Sequence, residues 1–120
     1  MANHDDLLRI TVDPLEDARL IRATGEVDMS SVAALGRELD AARAEAVTVL
    51  LDLSGVTFID SSGLHLLLRA SHSSAISDWA FFVVRPSEPV LRLIELSGTA
   101  DLLTVFDPTA ERALADVGIR

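Results

Sequence analysis

The sequence predicts an α/β protein: a mixed, mostly parallel sheet of about five strands with about four helices packed against it. Three observations carry this. Read by hydrophobic period, the elements run strand, strand, helix, and then strand and helix three times. Repeated strand–helix units need crossover connections, so the later strands should run parallel. Residues 47–53, Val47-Thr48-Val49-Leu50-Leu51-Asp52-Leu53, form an almost continuous apolar run, as a central strand covered on both faces does. The 120 residues are 49% hydrophobic, enough for one interior and too many for a disordered chain. One domain over residues 1–120 is expected, with its core from about residue 7 to 117.

Residues 7–12 alternate, with Leu8, Ile10 and Val12 on one face, and Asp13-Pro14 marks a turn. Residues 17–24 form a second strand centred on Leu20 and Ile21. The short connection makes these two antiparallel neighbours, an edge to the parallel part of the sheet. A helix over 30–44 repeats Val32, Leu35, Leu39 and Ala42 at helical spacing, with Arg37, Glu38, Asp40 and Arg43 facing away. The strand at 47–53 follows, then a helix over 62–75 with Leu64, Leu67, Leu68, Ser71 and Ala75 on one face.

Ala80-Phe81-Phe82-Val83-Val84 reads as another buried strand. Ser87 is expected to cap the next helix, with Glu88 and Pro89 in its first turn and Val90, Leu93, Ile94 and Ser97 facing inward. Gly98 suits the helix end. Leu102 to Phe106 is the last strand, and Asp107-Pro108 opens a terminal helix to about Val117.

The formal net charge is -9, which disfavours nucleic acid and anionic membranes and favours a basic partner. With no cysteine, thiolate metal sites, disulfides and thiol catalysis are excluded. Met1-Ala2-Asn3-His4-Asp5-Asp6 is acidic and polar, unlike a signal peptide, and no apolar run approaches a membrane span. The expectation is a soluble cytoplasmic protein without metal or cofactor.

Phe58-Ile59-Asp60-Ser61-Ser62-Gly63-Leu64 is the segment richest in chemistry. It places two hydroxyls and a carboxylate where a strand gives way to a helix. A helix start exposes N–H groups and the positive end of the helix dipole, and tolerates phosphate. Ser61 reads first as an N-cap, Asp60 as a turn carboxylate, and Gly63 as a site of close helix–sheet packing. His65 and Arg69, one helical turn apart, read as a solvated face. In Gly25-Glu26-Val27-Asp28, Gly25 suits a backbone conformation awkward for other residues, and Asp28 is placed to cap the helix near Ser30. Ser61 could be a nucleophile only with a base in reach. His4 lies in the polar tail, while His65 and His72 follow Ser61 on its own helix. That geometry is poor for a triad, so intrinsic catalysis is not expected.

Three stretches resemble the STAS domain, and in particular the single-domain anti-sigma factor antagonists. They are Gly25–Asp28, Leu51–Leu64 and Val84–Gly98, in that order. The resemblance implies a partner switch without catalytic activity of its own. Ser61, the first serine of Asp-Ser-Ser-Gly, would accept phosphate from ATP through an anti-sigma factor that is also a serine kinase. The unmodified protein would bind that kinase and free a sigma factor; a separate phosphatase would restore the modified form. The implied partner surface is Asp28, Asp60, Ser61, Ser62, Gly63, Leu64 and His65. The alternative is an unphosphorylated accessory subunit of a transporter or signalling assembly. Two departures stand out. His65 occupies a position where such proteins often carry a small residue, and Ser73–Trp79 lacks the glycines common in that loop.

Overall fold

Leu8–Pro14 (β1) and Ala18–Val27 (β2) pair antiparallel, with Val12 opposite Ile21 and Leu8 opposite Gly25. β2 then pairs in parallel with Thr48–Ile59 (β3), β3 with Ala80–Val84 (β4), and β4 with the two-residue Val105–Phe106 (β5). The sheet order is β1-β2-β3-β4-β5, an antiparallel edge on a parallel sheet. This computed structural model describes residues 7–106. His4 and the expected terminal helix from Asp107-Pro108 lie outside the described residues.

The three α-helices among the described residues are the crossovers: Val32–Glu45 (α1), Ser61–Ile76 (α2) and Glu88–Ser97 (α3). α1 rests on β2 and β3, α2 on β3 and β4, and α3 on β3. Register explains the core. Ile21, Leu51 and Val83 line up across three strands and are each fully buried. Burying each such side chain contributes about 1.5–3 kcal/mol. Leu35, Leu39 and Ala42 of α1 meet this layer as their spacing requires.

On α2 the buried set is Gly63, Leu64, Leu66, Leu67 and Ala70, so the inner face is rotated from the expected one and Ala75 is exposed. The reason is α1, which packs beside α2 and covers Leu66 at Gly36. Arg43 faces outward from α1 but stacks over Trp79 at 5.1 Å and donates to Ser73 Oγ. Trp79 Nε1 donates to the same hydroxyl, so the loop lacking glycines is pinned by side chains.

Three boundaries differ from expectation. β3 continues six residues past Leu53, to Ile59. The last strand shortens to Val105–Phe106 because Ala100–Leu102 winds into a 3-10 turn. Ser87 stands at the N-cap of α3 but makes no side-chain cap bond, and its backbone N–H instead donates to Leu53 O. Gly98 ends α3 in the left-handed conformation at φ 74°, as expected.

Candidate functional site

The site begins with the way β3 bends. Arg22 pairs with Asp52 but Thr24 pairs with Gly55, and Gly25 pairs with Val56 but Glu26 with Phe58. β3 therefore carries two extra residues relative to β2, each a bulge that bends the strand and redirects its end. Asp52, 7% exposed, holds the first bulge: its Oδ1 accepts from Ser54 N at 2.9 Å, and its Oδ2 lies 3.8 Å from Arg22 Nε. At Gly55 a Cβ would stand 2.7 Å from Thr24 Oγ1, so a side chain there would crowd β2.

Beyond the bulges, Val27 and Ile59 are paired neighbours, so Asp28 and Asp60 leave the sheet side by side. Asp60 N–H donates across to Val27 O at 3.2 Å. Each aspartate then organises the helix after it. Asp60 is the N-cap of α2, and its Oδ1 accepts from Ser62 N at 2.9 Å, Gly63 N at 3.4 Å and Ser62 Oγ at 2.5 Å. Ser61 is therefore the first residue of the helix and not its cap, contrary to expectation. Its hydroxyl is exposed and makes no hydrogen bond among the described residues.

Asp28 Oδ1 accepts from Ser30 Oγ at 2.7 Å, Ser30 N at 3.0 Å and Ser31 N at 3.2 Å. The helix proper starts later than expected, at Val32, so Asp28 caps the turn leading into it. Ser31 is buried and donates to Glu26 O at 2.8 Å, closing that turn. Ser30 and Ser31 carry no motif that would single them out in sequence; they appear only as partners of Asp28.

The Ser30 hydroxyl is the main cause holding the Asp28 carboxyl below its ordinary titration range, against a smaller opposing effect of burial. A depressed carboxyl contributes stability above its unfolded value and loses it as pH falls through the folded one. Ser30→Ala should therefore raise the Asp28 titration toward the usual range, so that this loss begins at higher pH. Carbon-13 NMR of the side-chain carboxyl reads this directly. An unchanged titration would assign the depression to the backbone N–H groups and the Ser31 hydroxyl.

Gly63 and Leu64 turn inward. Leu64 is 6% exposed and belongs to the core, so it offers no side chain to a partner, contrary to the surface expected of it. At Gly63 a Cβ would lie 2.7 Å from Ile59 Cγ1 and 2.8 Å from Val27 Cγ1. Both neighbours are β-branched and stiff at χ1. Gly63→Ala should cost about 1–3 kcal/mol by overpacking. It should also push the start of α2 off the two strand ends. Chemical denaturation measures the first effect and amide shifts at 60–63 the second; a wild-type midpoint would show that the strands yield freely.

His65 is exposed on α2, one turn after Ser61, as expected. Sequence reasoning missed two exposed apolar residues at the same end of the sheet: Met29, 82% exposed, and Phe58, 48% exposed. Phe58 follows the second bulge, where alternation along β3 no longer predicts which side chains are covered.

An antiparallel strand pair leading into a bulged parallel sheet, with one aspartate capping a helix and a second capping the neighbouring turn beside it, defines a small α/β domain of the STAS type. The STAS domain model matches residues 9–112, and the chain belongs to that family. It is similar to an anti-sigma-B factor antagonist of Staphylococcus epidermidis, with 28% identity over 95 residues covering 78% of this chain and 88% of that one. It is also similar to the crystal structure of an anti-sigma factor antagonist from Mycobacterium paratuberculosis, with TM-score 0.77 and 27% identity over 93% of this chain and 95% of that one. The unphosphorylated form of the antagonist SpoIIAA shares the fold, with TM-score 0.70 and 20% identity over 93% of this chain and 99% of that one. Among the described residues, no helix is long and apolar enough to cross a membrane.

Proposed function

We propose that this protein is an anti-sigma factor antagonist controlled by phosphorylation of Ser61. The unmodified form binds an anti-sigma factor that is also a serine kinase and so releases a sigma factor. The phosphorylated form does not bind, and a phosphatase restores it. The protein works in the cytoplasm, without nucleic acid or membrane, and catalyses nothing itself. The relatives named above support the role.

One observation carries the choice of residue. Of the two adjacent hydroxyls, Ser62 Oγ is engaged by Asp60 and Ser61 Oγ is not. An attacking oxygen must be free to approach the γ-phosphorus and surrender its proton to a base on the kinase. Ser62 would first have to break a charge-assisted bond, and Ser61 has none to break. The two aspartates also explain why modification would switch binding. A phosphate on Ser61 adds about two negative charges near neutral pH, next to Asp60 and beside Asp28. A partner docked over that mouth would have to desolvate all three.

The contact surface we propose is Asp28, Asp60, Ser61, Ser62 and His65, with Met29 and Phe58 as exposed apolar anchors. Gly63 and Leu64 shape it from beneath. The test is to incubate the protein with its anti-sigma kinase and ATP and to locate the phosphate by mass spectrometry. Phosphate on Ser61, lost in Ser61→Ala and retained in Ser62→Ala, is the expected result. Modification persisting in Ser61→Ala, or none with a kinase shown to be active, would refute the reading.

A further inference from the structure

We propose that His65 is the resident counter-cation for a phosphate on Ser61, making the charge of the modified helix mouth depend on pH. This rests on Ser61 being the phosphorylated residue.

A phosphate at a helix start ordinarily finds free N–H groups. Here the carboxylate of Asp60 already accepts from Ser62 N and Gly63 N. Of the first-turn N–H groups only that of Ser61 itself has no acceptor among the described residues, so any further donor from α2 is a side chain. His65 stands four residues after Ser61, the spacing at which side chains on a helix meet. Side chains of a helix lean toward its N-terminus, which from position 65 is the direction of the turn that holds Ser61. An anion N-terminal to a cation at this spacing is also the favourable orientation.

His65 is available for this task. It is exposed and makes no side-chain hydrogen bond or ion pair among the described residues. It shares an exposed groove with Leu68, Arg69 and His72, all of α2. Arg69 is a further turn away and also lines a second groove, against Asp40 and Arg43 of α1. From α3, Glu88 and Arg92 lie on a separate groove across Ile59. Asp60 and Asp28 would repel a phosphate on Ser61, and of the basic side chains of α2 His65 stands nearest to it along the helix. Protonated His65 would favour the dianion and offset one of its charges; neutral His65 would leave the mouth more negative.

Phosphoserine placed at position 61 during translation supplies the phosphate independently of any kinase. Phosphorus-31 NMR then follows its second ionisation, near about pH 6. The ionisation should sit about 0.3 pH unit lower in the phosphoprotein than in its His65→Gln variant, the size an exposed pair at this spacing gives. His65→Lys should restore the lower value, and His72→Gln should leave it unchanged. Equal values with and without His65, no rescue by lysine, or an equal effect of His72→Gln would overturn the proposal. Failure of a kinase to modify Ser61 would instead overturn the functional reading and would leave this titration interpretable.

Discussion

Gly25→Ala should unfold the protein at a far lower denaturant concentration than wild type. Gly25 holds φ 118°, a conformation that side-chain-bearing residues rarely adopt. A Cβ built there would overlap the carbonyl oxygen of Leu7. That oxygen accepts from Glu26 N at 2.8 Å, so the clash falls on a bond joining β1 to β2. Backbone strain of about 1–3 kcal/mol adds to the lost hydrogen bond, worth about 1 kcal/mol, and to the displacement of β1. A total of about 3–5 kcal/mol is expected, a large part of the stability of a domain this size. Gly98 supplies the control. It too has positive φ, at 74°, but nothing lies within 4 Å of a Cβ there. Gly98→Ala should cost only about 1 kcal/mol. Equal losses at the two positions would show that the Leu7 contact is not the cause.

Ser61→Glu should weaken binding to the anti-sigma kinase by about 30-fold or more, corresponding to about 2 kcal/mol or above. The substitution sets a third carboxylate beside Asp60 and Asp28, and a docking partner must strip water from it without gaining a mate. Ser61→Ala removes only an unbonded hydroxyl and should bind as wild type does, while resisting the kinase. Both variants should keep the wild-type unfolding midpoint, because the Ser61 side chain holds nothing in the fold. Binding of Ser61→Glu at wild-type strength would sever charge at this position from partner choice. The glutamate carries one charge where phosphate carries about two, so its effect is a lower bound.

Much of this architecture is legible in the chain. Leu8 and Ile10 of β1, the helical spacing of Val32, Leu35, Leu39 and Ala42, and the apolar run into β3 each reflect a burial pattern that side-chain chemistry dictates, whereas Val12 on the edge strand stays exposed. Gly25 and Gly63 were readable because each occupies a place where any side chain collides. The end of β3 was not. Its two bulges break the period of two, so residues 54–59 look irregular although they are strand.

The caps escape local pattern for a related reason. Asp60-Ser61-Ser62 offers three side chains able to cap a helix, and composition cannot choose among them. The choice falls to Asp60 because Val27 O fixes its backbone at the end of the β2–β3 pair, one residue before the first helical turn. The same strand pairing delivers Asp28 to its side, a juxtaposition of residues 32 positions apart that local pattern does not contain. The bend at Ala100–Leu102 depends on tertiary contacts in the same way, since Ser71 of α2 donates to Leu102 O.

Calorimetric titration of the anti-sigma kinase with two forms of this protein, unmodified and fully phosphorylated at Ser61, tests the central claim most directly. The account predicts tight binding of the first and, for the second, an affinity lower by about two orders of magnitude or below detection. Matching affinities would contradict it, since a hydroxyl that gates docking by its charge cannot be esterified without effect.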